Sequence, residues 1–339
     1  MDTLTHIVLG GCIGEIFVGK KIGRRALFLG AVAQSVPDID FIGSFLYSPS
    51  ANLLAHRGFT HGFLFALIVT PVLAWLADRW RRPHDVRFRT WLWFFGTEII
   101  VHIVLDAANA YGTGWFEPFN NARFSYHLLF VADPLFSIVP GVVFVWLAFK
   151  RRHRQRTFWA FVTLCWCGLY VSFCILSKSV VEKDVKSIAA QQQITYRRYF
   201  TTPTPLNSML WFVVLEGEEG YHIGYRSLFD KQPTMPFEYF PRNDSLLLPV
   251  KDLHDLADLT QFSQGFYTVE QWGDTLVFND LRFGQMIGWR NPRAKFSFHY
   301  FLKSAYSNDM VVQRGRFANW DKNAWISLWR RIGGNHSHP

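Results

Sequence analysis

The 339-residue chain predicts an α-helical polytopic membrane domain of about four to six helices, followed by a strand-rich α+β soluble domain. Three observations predict it. Apolar residues crowd into the first half, cations collect at the ends of the apolar stretches, and short aromatic and β-branched runs fill the second half.

Three stretches hold the roughly 20 apolar residues that cross a hydrocarbon core of about 30 Å. They are 59–78, 88–109 and 157–176. A fourth, 130–149, is as apolar but is interrupted by Pro134 and Pro140. Before them, Gly- and Ala-rich helices over 3–19 and 24–36 could be short, tilted or re-entrant spans packed among the longer ones. The membrane domain so predicted is 1–176.

The net charge of +9 does not predict a nucleic-acid partner, because the cations are grouped by loop rather than along one phosphate-binding face. Loops 20–25, 79–89 and 150–156 carry Lys20, Lys21, Arg24, Arg25, Arg79, Arg81, Arg82, Arg87, Arg89, Lys150, Arg151, Arg152, Arg154 and Arg156. The opposite loops, 37–58 and 110–129, carry only Arg57 and Arg123. Fourteen cations against two mark the first set as cytoplasmic and put the N-terminus outside. Cys12, Cys165, Cys167 and Cys174 all lie in apolar segments and read as small buried hydrophobes. "MDTLTH" lacks the positive region of a cleavable signal peptide. The lipid bilayer is thus the first partner predicted.

Residues 183–339 form the second predicted domain. "MLWFVVLEG", "YHIGYRSLF", "DTLVFNDLRFG" and "KFSFHYFL", separated by Gly, Pro, Asn and Asp, read as strands. The charge topology places this domain outside the cytoplasm.

The polar residues of the membrane half are few and of one kind. His6 starts the first helix, Asp38 and Asp40 form "VPDID", and His56 and His61 precede the third helix. His102 and Asp106 end the fourth, and Asp133 opens the fifth. A topology set by Lys and Arg alone puts all of them at outer helix ends. Imidazole with carboxylate is a ligand set for zinc, manganese or iron. His102 and Asp106 share a helix face at i, i+4, and His56 and His61 converge only if the chain turns at Gly58. Eight candidates exceed one ion's needs, so one to three divalent ions are expected, zinc foremost. Glu98 extends the stripe one turn deeper, as a ligand, an orienting group or a proton carrier. Arg57 could bind an anionic substrate oxygen, or snorkel to headgroups. Singly, the plainer readings are a core histidine for His6, an N-cap for Asp133 and an interhelical hydrogen bond for His102 with Asp106. The shared face is left unexplained by those.

"DTLTHIVLG", "VPDID", "HRGFTHG", "HIVLDAANAYGTGWFEPF" and "FVADPLF" together resemble the motifs of bacterial membrane-bound metal-dependent hydrolases of the YdjM/YbcI type. The resemblance covers about residues 1–150 and extends more weakly beyond. That group looks distantly related to the zinc-dependent phospholipase C and P1 nuclease enzymes. The resemblance implies His6, Asp38, Asp40, His56, His61, His102 and Asp106 as metal ligands, with Asp133 a weaker match. It also implies a multi-pass protein of the bacterial plasma (inner) membrane. Gly62 departs from the small hydroxyl residue expected after the second histidine.

The leading expectation is an integral-membrane metal-dependent hydrolase of a phospholipid or another phosphodiester or ester at the outer interface. Metal-activated water would attack, Asp38 or Asp40 would accept its proton, and Arg57 would offset charge on the substrate. One alternative is a cation transporter or metal-handling protein, which predicts ligands near the midplane. Another is a non-enzymatic membrane module with a structural metal.

Overall fold

The structure is a computed structural model that describes residues 1–80, 86–150, 154–248, 250, 253–302 and 320–335. Arg81, Arg82, Arg151 and Arg152 of the basic loops lie outside the described residues. The chain divides into two compact units. The first holds 1–47, 54–126 and 130–173, and the second holds 48–53, 127–129 and 174–339.

In the first unit, α1 (Thr3–Ile22) starts on an Asp2 cap, whose side chain accepts from the Thr5 amide. It ends at Gly23, whose φ of 63° only glycine adopts without cost. The chain then doubles back as α2 (Arg25–Gln34). The two helices pack through small residues. A Cβ on Gly30 would fall 2.0 Å from the Gly10 carbonyl oxygen, and one on Gly14 would fall 2.2 Å from that of Ala26. Such close backbone approach is how helices associate where lipid removes the hydrophobic drive.

After α2 come a 3-10 segment (Pro37–Phe45), α3 (Pro49–Ala55) and a 3-10 turn (Phe59–His61). Then follow α4 (Phe63–Trp80), α5 (Phe88–Ala107) and α6 (Pro134–Phe149). Helix α7 (Arg156–Gln191) runs on for 36 residues. By length and composition α4, α5 and α7 can cross a membrane, or four segments if α2 and the 3-10 segment, bent by 54°, count as one. Helix α6 is shorter. The predicted boundary near 176 falls inside α7, which continues to Gln191, and the two compact units divide at 173 and 174 in the same helix. The expected span at 59–78 starts later for a physical reason: Phe59–His61 is a separate turn that ends at Gly62.

One ion pair fastens the basic end of this unit. Arg156 gives Nε and Nη2 to the Glu15 carboxylate at 2.9 and 2.6 Å, while Nη1 caps the Leu147 and Lys150 carbonyls at the end of α6. Arg156 is buried, so it is a helix clamp and not one of the loop cations it was counted among.

The second unit carries two antiparallel sheets, ordered β1-β2-β3-β4 and β5-β6-β7. The strands are β1 (Arg198–Pro203), β2 (Leu210–Glu216), β3 (Gly220–Ser227), β4 (Glu238–Pro241), β5 (Tyr267–Trp272), β6 (Thr275–Gln285) and β7 (Phe296–Leu302). Helices α8 (Leu253–Phe262) and α9 (Lys322–Ile332) accompany them. Strand β2 is buried on both faces, which is why it reads as an unbroken apolar run. Trp211, Val213 and Leu215 meet Val181, Val185 and Ile188 of α7. Phe212 and Val214 face a core shared with Leu281, Phe296 and Leu328.

Candidate metal centre

Four side chains from three elements place ligand atoms within 4.8 Å of one another: Asp38, His61, His102 and Asp106. Pro37 opens the 3-10 segment and puts Asp38 in its first turn. His61 closes the 3-10 turn before α4. His102 and Asp106 project from one face of α5, four residues apart. The Nε2 atoms of His61 and His102 are 3.1 Å apart. Asp106 Oδ2 lies 3.1 Å from His61 Nε2 and 3.5 Å from His102 Nε2. Asp38 Oδ1 stands 3.8 and 3.5 Å from the same two nitrogens. The side chains of His61, His102 and Asp106 are 0% exposed and that of Asp38 is 26% exposed.

This arrangement fits a divalent cation. Two imidazole nitrogens facing each other at this distance share at most one proton, so at least one lone pair is aimed into the cluster. Two neutral imidazoles with two carboxylates balance a 2+ charge, and the nitrogen and oxygen set suits zinc, manganese or iron. The far nitrogen of His61 is held as metal-binding histidines usually are. Its Nδ1 is 3.1 Å from Thr60 Oγ1 and 3.4 Å from Asp40 Oδ2. The hydroxyl that Gly62 does not supply is thus provided by Thr60. Gly62 itself is tight, since a Cβ there would meet the Phe59, Gly114 and Glu117 carbonyl oxygens at 3.1 to 3.3 Å.

The other expected residues surround the four or lie apart from them. His6 joins the cluster's edge, with Nε2 3.1 Å from Asp106 Oδ1 and its ring stacked on His102 at 3.9 Å. Asp40 accepts the Arg57 amide at 2.6 Å and stands 3.3 Å from His56 Nδ1, so it orients the loop. His56 does not enter the cluster. It is partly exposed and packs edge-on against Tyr111 at 5.2 Å. The turn between the two histidines sits at Arg57, whose φ is 60°, and not at Gly58, whose φ is −83°. Gly58 matters for close approach instead, because a Cβ there would meet Glu117 Oε2 at 2.7 Å.

Arg57 is buried and engaged. Its Nε is 3.0 Å from Asp106 Oδ2, and its Nη atoms donate to Asn109 Oδ1 and the Met1 carbonyl at 3.1 Å each. At 5% exposure it holds Asp106 from inside the fold. The Met1 ammonium pairs with the other Asp106 oxygen, a contact that no sequence pattern announced. Glu98 sits apart, buried against α2, where the Gln34 amide is placed to donate to Glu98 Oε2 and its backbone oxygen at 2.6 Å. Asp133 caps α6 through the Leu135 amide at 3.0 Å and accepts the Tyr170 hydroxyl at 2.8 Å. These are the plainer structural roles for both.

Sequence reading also missed Arg123, counted only as an outer-loop cation. Its guanidinium donates to the Leu54, His56 and Gly112 carbonyls at 2.8, 2.8 and 3.1 Å, tying the histidine loop to the 108–126 loop. Nearby, burial raises the pKa of Glu117 above its ordinary value, opposed by Arg123 and the Phe59 amide.

Comparison with known proteins places this unit. The model of a family described as YdjM inner membrane protein matches residues 1–181. Inner membrane protein YbcI of Escherichia coli (strain K12) is 32% identical over 123 residues, covering 36% of this chain and 69% of that protein. Uncharacterized protein YfhP of Bacillus subtilis (strain 168) is 30% identical over 159 residues, covering 44% of this chain and 47% of that protein. No solved structure matches the chain.

Proposed function

The chain belongs to the YdjM inner membrane protein family, and from that premise we propose that it is a membrane-embedded, metal-dependent hydrolase of a phosphodiester or ester. The observation that supports this is the convergence of Asp38, His61, His102 and Asp106 on one point at the ends of their elements. These four would hold the ion; the two imidazoles favour zinc, and the absence of thiolate among the four disfavours a purely structural zinc site. A divalent ion held there would supply Lewis acidity and lower the pKa of water toward neutrality.

The chain's own groups have separable tasks. Asp40 and Thr60 hold the His61 ring so that Nε2 faces the cluster. Arg57 and Asn109 fix Asp106. Asp38, which turns Oδ1 toward the histidines and is partly open, would also accept the proton of an attacking water on its second oxygen. The hydroxyl would bond to phosphorus or carbonyl carbon as the bond to the ester oxygen breaks, and the leaving oxygen would take the proton that Asp38 accepted. By the positive-inside rule the basic ends of α1, α4 and α5 lie in the cytoplasm, so the site faces outward and the strand-rich unit is extracytoplasmic.

Elemental analysis of the purified full chain, paired with a phosphodiester and ester screen, tests the reading. Wild type should carry stoichiometric metal and hydrolyse at least one substrate, while His61→Ala and Asp106→Ala should lose both. Full metal content in both variants would remove the site. Metal without turnover in wild type would remove the hydrolase.

A further inference from the structure

Of the four clustered ligands only Asp38 has a partly exposed side chain, and it lines a groove of about 1190 Å³ within the first unit. The groove runs the length of α2, from Arg24 and Arg25 at one end to Ser35 and Asp38 at the other. Ile7 of α1 and Phe144 of α6 form its walls. Apart from Thr3, the first residue of α1, its remaining lining is apolar, and Phe28, Val32, Ile39 and Phe41 are exposed there. Helix α2 has ten residues, about 15 Å, which is half of a bilayer's hydrocarbon thickness of about 30 Å.

We propose that this groove holds the hydrocarbon chain of a membrane lipid whose ester or phosphodiester group lies at Asp38. The proposal rests on the hydrolase reading and narrows its substrate class to chain-bearing lipids. Three features carry it. The exposed side of the cluster, at Asp38, gives onto the groove. An apolar channel one leaflet deep matches a single acyl chain. The groove is polar only at its ends, as an amphiphile requires, and a volume above the 300–1,000 Å³ usual for small-molecule pockets leaves room for a chain. The opposite face of α2 is filled by its close contact with α1, so the groove is the side of α2 left to lipid.

The test uses the full chain in nanodiscs containing phosphatidylethanolamine with a diazirine on its acyl chain, with cross-links mapped by mass spectrometry. Labelling should concentrate on Phe28, Val32 and Ile39, about tenfold above Leu67 and Val72 on the exposed face of α4. Ala31→Trp, which fills the groove, should remove that excess while metal content stays at the wild-type level. Val32→Trp, at an exposed position that tolerates bulk, gives the same reading if Ala31→Trp does not fold. Even labelling of α2 and α4, or an excess that survives both tryptophans, would overturn the proposal. Hydrolysis of the same lipid and of bis(4-nitrophenyl) phosphate is followed in parallel. The tryptophan variants should lose the first and keep the second. Groove labelling with neither activity in wild type would leave the lipid site standing and remove the hydrolase.

Discussion

At the scale of single residues, the two histidines of "HRGFTHG" part company. His61 enters the cluster and His56 does not, because the left-handed turn sits at Arg57 and swings the preceding ring toward Tyr111. A positive φ is uncommon at arginine and easy for glycine, so the sequence pointed to Gly58 and could group the pair but not separate it. Asp40 illustrates the same limit, since a carboxylate two residues from a ligand reads as another ligand until its partners are seen. Asp40→Asn should lower metal affinity about 10- to 100-fold without abolishing binding, the usual cost of a lost orienting group. A competition titration with a chelator measures it, and affinity equal to that of Asp106→Ala would make Asp40 a ligand instead. In the second unit His127 is buried on Phe200 at 5.1 Å. Burial, with Lys178 and Arg282 nearby, holds its pKa well below the ordinary value. The unfolded chain takes a proton near pH 6.5 and the folded chain does not. Stability is therefore present above that pH and falls below it, at up to about 1.4 kcal/mol per pH unit. The backbone at His127 has a φ of 50°, which asparagine tolerates, and His127→Asn should flatten the thermal-unfolding profile between about pH 5.5 and 7.5. Parallel profiles for variant and wild type would exclude this role.

At the scale of elements, the long apolar periods and the alternating aromatic runs were legible because burial alone dictates them. The stretches 88–109 and "MLWFVVLEG" became α5 and β2 within a few residues. The continuation of α7 to Gln191 was less so, since its second half is amphipathic and buries Val181, Val185 and Ile188 against β2 in place of lipid. Helices α1 and α2 show what composition can and cannot say. Their glycines pointed to close packing, and the structure adds which glycine meets which carbonyl. Gly30→Val should force the pair apart, carry His6 away from Asp106, and lower thermal stability by about 1–3 kcal/mol, the usual cost of overpacking. Unchanged stability would mean that α2 is free to shift. The Glu15–Arg156 pair gives a second case. Arg156→Leu leaves a buried carboxylate and should cost about 3–5 kcal/mol, whereas Glu15→Leu with Arg156→Leu should recover most of it. A denaturation series comparing the single and double variants decides between a clamp and an idle contact.

At the scale of the whole molecule, the charge pattern makes a claim about sidedness that cysteine labelling checks. With Cys165 replaced by serine, a membrane-impermeant maleimide should reach Glu219→Cys in intact spheroplasts, and Lys20→Cys and Arg89→Cys only after lysis. The reverse pattern would turn the site toward the cytoplasm. The convergence at Asp106 was partly legible, because all its partners lie at helix ends opposite the basic loops. Its exact membership was not, since four of the eight expected ligands, His6, Asp40, His56 and Asp133, stand outside the four-residue cluster on partners that only the folded chain brings near. The Glu15 clamp also has a consequence for biosynthesis. Its two halves are 141 residues apart. At a synthesis rate of about 5–20 residues per second, Glu15 waits roughly 7–28 s for its guanidinium. Through that interval the first hairpin holds an uncompensated acid beside the translocon, so α1 and α2 are expected to settle into the bilayer late, when the start of α7 arrives.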